Sequence, residues 1–407
     1  PTPTPTPTPT PKPAPQKVLK IGVSLALTND WTGFNLEKNK WLKLFAKLIN
    51  DQGGWKIGGD TYKVEMIIYD NQADATKAKT DLEKLVFQDG VKIILDDPVG
   101  SPSVTTTVTE PNKVMVLGID VTNTAADPKN QYYWEPIGMF FGRGLMFVMD
   151  REMAAKGVRN YVSVKTDTEM GHWADGACGD TWKVATPEVK YVDSVFYAMD
   201  TVDFSPIATK IKSLNPDLID CNYAGDPRLY KALQDVGFKG IILPSQLNPD
   251  QFQAVLTSCG KEFMENWMYF LPDPRVYPNQ PPEIVALMDA YTKEYGEFRT
   301  AGCMWVSYWF VLKDAIENTQ SVDVEAIKKY LDNQPHPVRH LTGWCKLFAR
   351  PDKENLRTVT GTPADFVAIV KDGKELPFRN VAVKDHYLAS ILSYGLVDVY
   401  KKYWEEY

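Results

Sequence analysis

Between Thr201 and Tyr223 the chain reads TVDFSPIATKIKSLNPDLIDCNY, and this stretch restricts the fold more than any other. Phe204, Ile207, Ile211 and Leu214 recur at three- and four-residue spacing, which makes one apolar helix face. Asp203 or Ser205 can cap its start. Pro216 ends it, because proline lacks an N–H and restricts the residue before it. Residues 218–222 then read as a short buried strand, and residues 223–227 as a loop. Open parallel sheets place ligands at loops that leave the carboxyl ends of strands. Tyr223 and Asp226 stand at such an end.

The rest of the chain repeats this grammar. Strands are expected at 18–26, 62–69, 91–95 and 114–119, with helices at 36–49 and 76–88 between them. The strand-end loops of this first series carry Trp31 and Phe34, then Gly100 and Ser101, then Asp120 and Thr122. A second series follows, with helices at 138–156, 173–184, 205–214 and 227–236. Its strands fall at 160–164, 190–197, 218–222 and 240–243. Its strand-end loops run over 165–173, which includes Met170 and Trp173, over 223–226, and over 245–246, which ends on Gln246. Alternation of this kind means parallel sheets covered by helices on both faces. The fold class is α/β, with two such layers in tandem. Beyond residue 270 come helices at 282–295, 302–318 and 324–331. Ragged strands from Leu341 and a last helix over roughly 387–403 close the chain.

Composition narrows the function classes. The 407 residues are 44 % hydrophobic and 24 % charged, as in an ordinary globular protein of two or three domains. The net charge of −7 makes nucleic acid and acidic membrane surfaces poor partners. No apolar run reaches eighteen residues, the length a membrane span needs. Eleven Trp and twenty Tyr suit flat organic ligands, although such side chains more often fill cores. Five well-separated cysteines with no CxxC read as buried thiols. His336 and His340 share one Pro-rich turn, too little for a metal site. No metal or other cofactor is expected. Residues 1–16, PTPTPTPTPTPKPAPQ, read as an extended, disordered linker. Such a stalk suits a protein tethered at a cell surface, with membrane contact only through a lipid anchor.

Four segments, in this order and spacing, resemble a known family. They are IGVSLALT from Ile21, KLINDQGG from Lys47, YKVEMIIYDNQADATKA from Tyr62 and VDFSPIATKIKSLNPDLI from Val202. Together they are similar to the type I periplasmic solute-binding proteins of ABC importers, in the leucine/isoleucine/valine-binding branch. The resemblance implies two Rossmann-like parallel-sheet lobes joined by three crossovers, near Pro136, Phe270 and Leu341. Residues 17–136 and 271–340 then make the first lobe. Residues 137–270 and 341–407 make the second, with a C-terminal extension from about 376. It implies further that a small ligand is enclosed between the lobes and passed to an ABC permease by a monomer.

Site roles follow from the same resemblance. Gly100 and Ser101 match in kind the amide and serine that hold a ligand carboxylate, and Thr122 matches a threonine. An aromatic residue is common near Phe34. Two positions depart from the amino-acid binders. Met170 stands where they carry a tyrosine, and no glutamate stands near Gln246 to receive an ammonium. A buried ammonium without a carboxylate is costly, and Asp120 is the substitute partner on offer. The expected ligand is therefore amino-acid-like, an amide or an aromatic carboxylate, stacked on Trp31, Phe34, Trp173 or Tyr223. The other function such a chain can serve is a ligand-sensing receptor domain. Enzyme motifs of the GxSxG, GxxxxGK[ST], HExxH and strand-borne GxGxxG kinds are lacking, so no catalytic residues are assigned.

Overall fold

A computed structural model describes residues 16–28, 34–95, 102–119, 129–137, 143–198, 200–222, 225–244, 247, 249–270, 275, 280–298, 303, 306–336, 338–341, 344–345, 347–349, 357–359 and 366–380. Its first series is β1 (Lys17–Leu25), α1 (Phe34–Asp51), β2 (Trp55–Ile57), β3 (Asp60–Asp70), α2 (Ala75–Phe87), β4 (Ile93–Leu95), α3 (Pro102–Thr109), β5 (Met115–Ile119) and β6 (Tyr133–Ile137). The second is α4 (Arg143–Ala155), β7 (Asn160–Thr166), α5 (Glu169–Ala185), β8 (Lys190–Tyr197), α6 (Ser205–Leu214), β9 (Leu218–Asp220), α7 (Pro227–Asp235), β10 (Ile241–Leu243), α8 (Pro249–Cys259) and β11 (Met268–Phe270). Then come α9 (Pro282–Tyr295), α10 (Ser307–Thr319), α11 (Val324–Leu331), β12 (Val338–Arg339), β13 (Trp344–Cys345), β14 (Leu347–Ala349), β15 (Arg357–Val359), β16 (Phe366–Lys371) and β17 (Lys374–Asn380).

Two lobes result. The first holds a sheet in the order β14-β15-β6-β5-β4-β1-β3-β2. The run from β6 to β3 is parallel, while β2 folds back antiparallel on β3. The second lobe holds the parallel sheet β10-β9-β7-β8. β11, β16 and β17 form an antiparallel sheet of their own. The chain leaves the first sheet after Ile137, returns after Phe270, and leaves again between Val359 and Phe366. That last passage lies beyond Leu341, because β14 and β15 stay on the first sheet: Thr358 pairs with Glu135 of β6.

Local chemistry explains the elements. In α6, Phe204, Ala208 and Ile211 are buried, and Pro206 sits in the first turn, where its missing N–H costs nothing. Asn215 closes the helix at φ 50°, a left-handed conformation asparagine tolerates. In α1, Trp41, Leu42, Phe45 and Ala46 turn inward. Trp41 stacks on Tyr291 at 4.4 Å and Phe45 on Trp309 at 5.1 Å, which fastens α1 to α9 and α10. Trp41, Trp134, Trp182 and Trp267 are all among the largest fully buried side chains, so much of the aromatic richness is core. The main core runs from the first lobe through Met268 and Val367 into α4 and α5. A second core fills the other face of the second sheet, and a third lies between α2, α3 and the first sheet. Cys178, Cys221, Cys259 and Cys303 are buried. No helix among the described residues is long and apolar enough to cross a membrane.

Candidate functional site

Ligand-facing loops in such a fold leave the carboxyl ends of β1, β4 and β5 in one lobe and of β7, β9 and β10 in the other. At the first, Asp70 at the end of β3 gathers the chain leaving β1. Its Oδ1 accepts the amides of Leu27, Thr28 and Gln72, each at 3.0 Å, and its Oδ2 accepts the Thr28 hydroxyl at 2.5 Å. Burial works to raise the Asp70 pKa, but these donors, led by Thr28, bring it below the usual carboxylate value. Asn71, fully buried beside it, donates to Ser24, which donates to Asp81. The turn is thus fixed before the chain reaches Phe34, half-buried at the start of α1.

At the end of β7 the geometry is tighter still. Thr168 caps α5 by accepting the Gly171 amide at 3.0 Å, and the Asp167 amide donates to the Tyr197 carbonyl. Gly171 passes so close to the strand that a Cβ there would stand 1.9 Å from the Thr166 carbonyl oxygen. His172, exposed, meets Asp167 at 2.9 Å and its ring lies 4.2 Å from that of Phe196. Trp173 is half-buried and packs against the main core. At the end of β9, Asp226 caps α7 through the Arg228 amide at 2.8 Å. The Arg228 guanidinium also lies across both its carboxylate oxygens, at 2.6 to 3.2 Å. Asp226 therefore holds a helix start and a cation of its own.

Of the other expected site residues, Trp31, Gly100, Ser101, Asp120, Thr122, Tyr223 and Gln246 lie outside the described residues, as does the side chain of Met170.

A cluster that the sequence pattern does not announce lies where β7 and β9 meet α4 and α5. Tyr161, Ser163 and Lys165 alternate onto one face of β7, and Leu218 and Asp220 onto the same face of β9, where Ser163 pairs with Asp220. α4 and α5 cover that face. Lys165 and Asp220 are 0 % and 1 % exposed at the side chain and lie 3.2 Å apart. Asp220 also accepts the Trp182 indole N–H at 2.8 Å. Burial works to lower the Lys165 pKa, but the Asp220 carboxylate and the nearby Cys178 and Cys221 raise it above its ordinary value. Asp150 of α4 faces the same pair and, among the described residues, neither of its carboxyl oxygens finds a hydrogen-bond partner. Burial first, then Asp220, drives its pKa well above 3.8 against the opposing pull of Lys165. Burial pushes the Cys221 thiol up to about 12, so it stays protonated.

Residues 18–372 match the sequence model of the periplasmic binding protein family. The chain belongs to that family. Its members bind solutes outside the cytoplasm and are not enzymes. No curated protein sequence matches this periplasmic binding protein. Solved structures do. A leucine-binding protein from Thermotoga maritima superposes with a TM-score of 0.66 at 18 % identity, over 89 % of this chain and 98 % of its own. A branched-chain amino acid transporter substrate-binding protein from Streptococcus pneumoniae, solved with isoleucine, gives 0.67 at 16 %, over 89 % and 100 %. A solute-binding protein of an ABC transporter from Rhodopseudomonas palustris, solved with 3,4-dihydroxybenzoic acid, gives 0.68 at 15 %, over 90 % and 98 %. At these identities the likeness speaks for the fold alone.

Among the described residues of this binding protein, no group of His, Cys, Asp and Glu is disposed to hold a metal ion. His336 is exposed and bonded to Asp314, whereas His340 is buried. What the described strand ends offer is a set of fixed polar turns with Phe34 and Trp173 beside them.

Proposed function

We propose that this protein captures a small organic acid or amide between its two lobes and delivers it to an ABC permease, held near the membrane by its Pro-Thr stalk and a lipid anchor. The observation that carries the reading is the tandem of parallel sheets, each ending in short, locally pinned turns, in a chain that belongs to the periplasmic binding protein family. Closure of two such lobes buries most of a small ligand, which gives affinity without chemistry.

For the ligand, an aromatic carboxylate is favoured over an α-amino acid. Gln246 and Met170 replace the groups that would serve an ammonium, while Phe34 and Trp173 supply apolar area. Ser101 and Thr122 are the proposed carboxylate partners, with Gly100 contributing a backbone amide; Trp31 and Tyr223 are proposed to stack on the ring. Asp226, already engaged by Arg228, is proposed to act at the rim through its loop and not as a direct ligand.

Calorimetry with a panel of benzoates, aromatic amides and aliphatic amino acids tests this. One-site binding of an aromatic acid with a raised melting temperature supports it. Tight binding of leucine or isoleucine with none of the aromatic acids would overturn the ligand class.

A further inference from the structure

We propose that the buried Lys165–Asp220 pair is a positioning device for the cleft: it fixes the turn leaving β9 at Asn222, and so the approach of Gly225 and Asp226 to the ligand. The inference rests on the solute-binding reading of that loop.

Asp220 is the last residue of β9, and its side chain collects donors from three directions. Lys165, one residue before the end of β7, donates to Oδ1 at 3.2 Å and to the Asp220 carbonyl oxygen at 2.9 Å. Trp182 of α5 donates to Oδ2 at 2.8 Å. The backbone and side-chain amides of Asn222 donate to Oδ1 at 2.9 and 3.0 Å. A strand neighbour and a covering helix therefore hold one carboxylate still, and that carboxylate holds the first turn residue after the strand. Cys221 between them is tied across to the Leu243 carbonyl of β10. Asn222 is fully buried, so the chain leaves β9 from a fixed point.

Stability alone is a poor reason for this arrangement. An ion pair shut away from water loses hydration that its mutual attraction only partly restores, and apolar residues of like shape often serve stability as well or better. The surroundings deepen the cost, since Asp150 brings a second carboxyl with no partner among the described residues. What an apolar replacement cannot do is bind the Asn222 amide. The geometry of the turn is what the polar pair adds.

The test compares the parent protein with the apolar triple variant Lys165→Met, Asp220→Leu, Trp182→Phe, which removes the polar groups together, and with the double variant Lys165→Met, Asp220→Leu. Hydrogen exchange is followed by mass spectrometry on peptides covering 221–228, alongside the melting temperature. The proposal expects exchange there to rise at least tenfold, with α4 and β8 unchanged and the melting temperature held. Should the triple variant fail to fold, the double variant, which removes both charges and the acceptor together, decides on the same readout. Unchanged exchange at 221–228, or a rise spread evenly over the lobe with a falling melting temperature, would overturn it, because a merely structural pair gives one or the other. A second arm measures affinity for 3,4-dihydroxybenzoate and L-isoleucine, where the variants should bind whichever the parent binds at least tenfold more weakly. If the parent binds neither, the solute-binding reading suffers while the exchange arm still judges the turn.

Discussion

Asp150 shows how far a single buried group shapes this protein's response to pH. Its pKa is raised in the folded state, so between 3.8 and that higher value the folded chain binds a proton that the unfolded chain has lost. Stability linked to the group is therefore fully present below pH 3.8 and drains away as pH rises through the folded pKa. Asp150→Asn keeps the shape and removes the titration. Its stability relative to the parent should grow as pH rises from 4 toward 8, read by urea denaturation at each pH. A constant difference across that range would contradict the assignment. Gly171 gives a second residue-scale case. A methyl group there must displace the Thr166 carbonyl, so Gly171→Ala should cost about 1–3 kcal/mol of overpacking. Gly176, in the same helix and with open space around its Cβ, should gain about 0.5–1 kcal/mol on the same change. Equal effects at the two glycines would mean that α5 does not approach β7 as described.

The element scale is where sequence pattern and structure agree most and where their differences have clear causes. β8, α9 and α11 run over the residues their patterns predict, because each is bounded by strong punctuation: Gly296 follows α9 and Asp323 caps α11. α3 escapes the pattern, since PSVTTTVT is rich in β-branched residues that favour strands. Pro102 at its first position presets a helical φ, and the Thr107 and Thr109 hydroxyls bond back to carbonyls of their own helix. β6 escapes because Glu135 and Pro136 break its apolar run, although Tyr133 and Trp134 bury on opposite faces of the sheet. The long helix expected from residue 138 is described from Arg143. The turn at Gly225 and Asp226 was legible from its Gly, Asp and Pro content, whereas the loop expected over 165–173 shrinks to Asp167 and Thr168, because β7 runs to Thr166 and α5 starts at Glu169 and carries Trp173. The Lys165–Asp220 node was not legible, because a lysine near a strand end reads as solvent-facing until the helix that covers it is known. Thr168→Ala tests the strand-end α5 cap: it should lower stability by about 1 kcal/mol and weaken solute binding as well. Loss of stability with unchanged affinity would separate α5 from the site.

At the scale of the whole molecule, one core joins both lobes through Met268 of β11 and Val367 and Ile369 of β16. The two parallel-sheet lobes were readable from the tandem α/β alternation and the four family-like segments. The edge placement of β14 and β15 was not, because short strands near proline and glycine carry no signal of which sheet they join. The expected closing helix at 387–403 and the linker before Gln16 lie outside the described residues. In the proposed function one small organic acid is bound between the lobes and left unchanged. Calorimetric titration of the intact protein with the aromatic acid panel, followed by mass analysis of the recovered ligand, tests it most directly. Saturation at one ligand per chain, a raised melting temperature and an intact ligand are expected; binding by no member of the panel, or recovery of a transformed product, would contradict the proposed function.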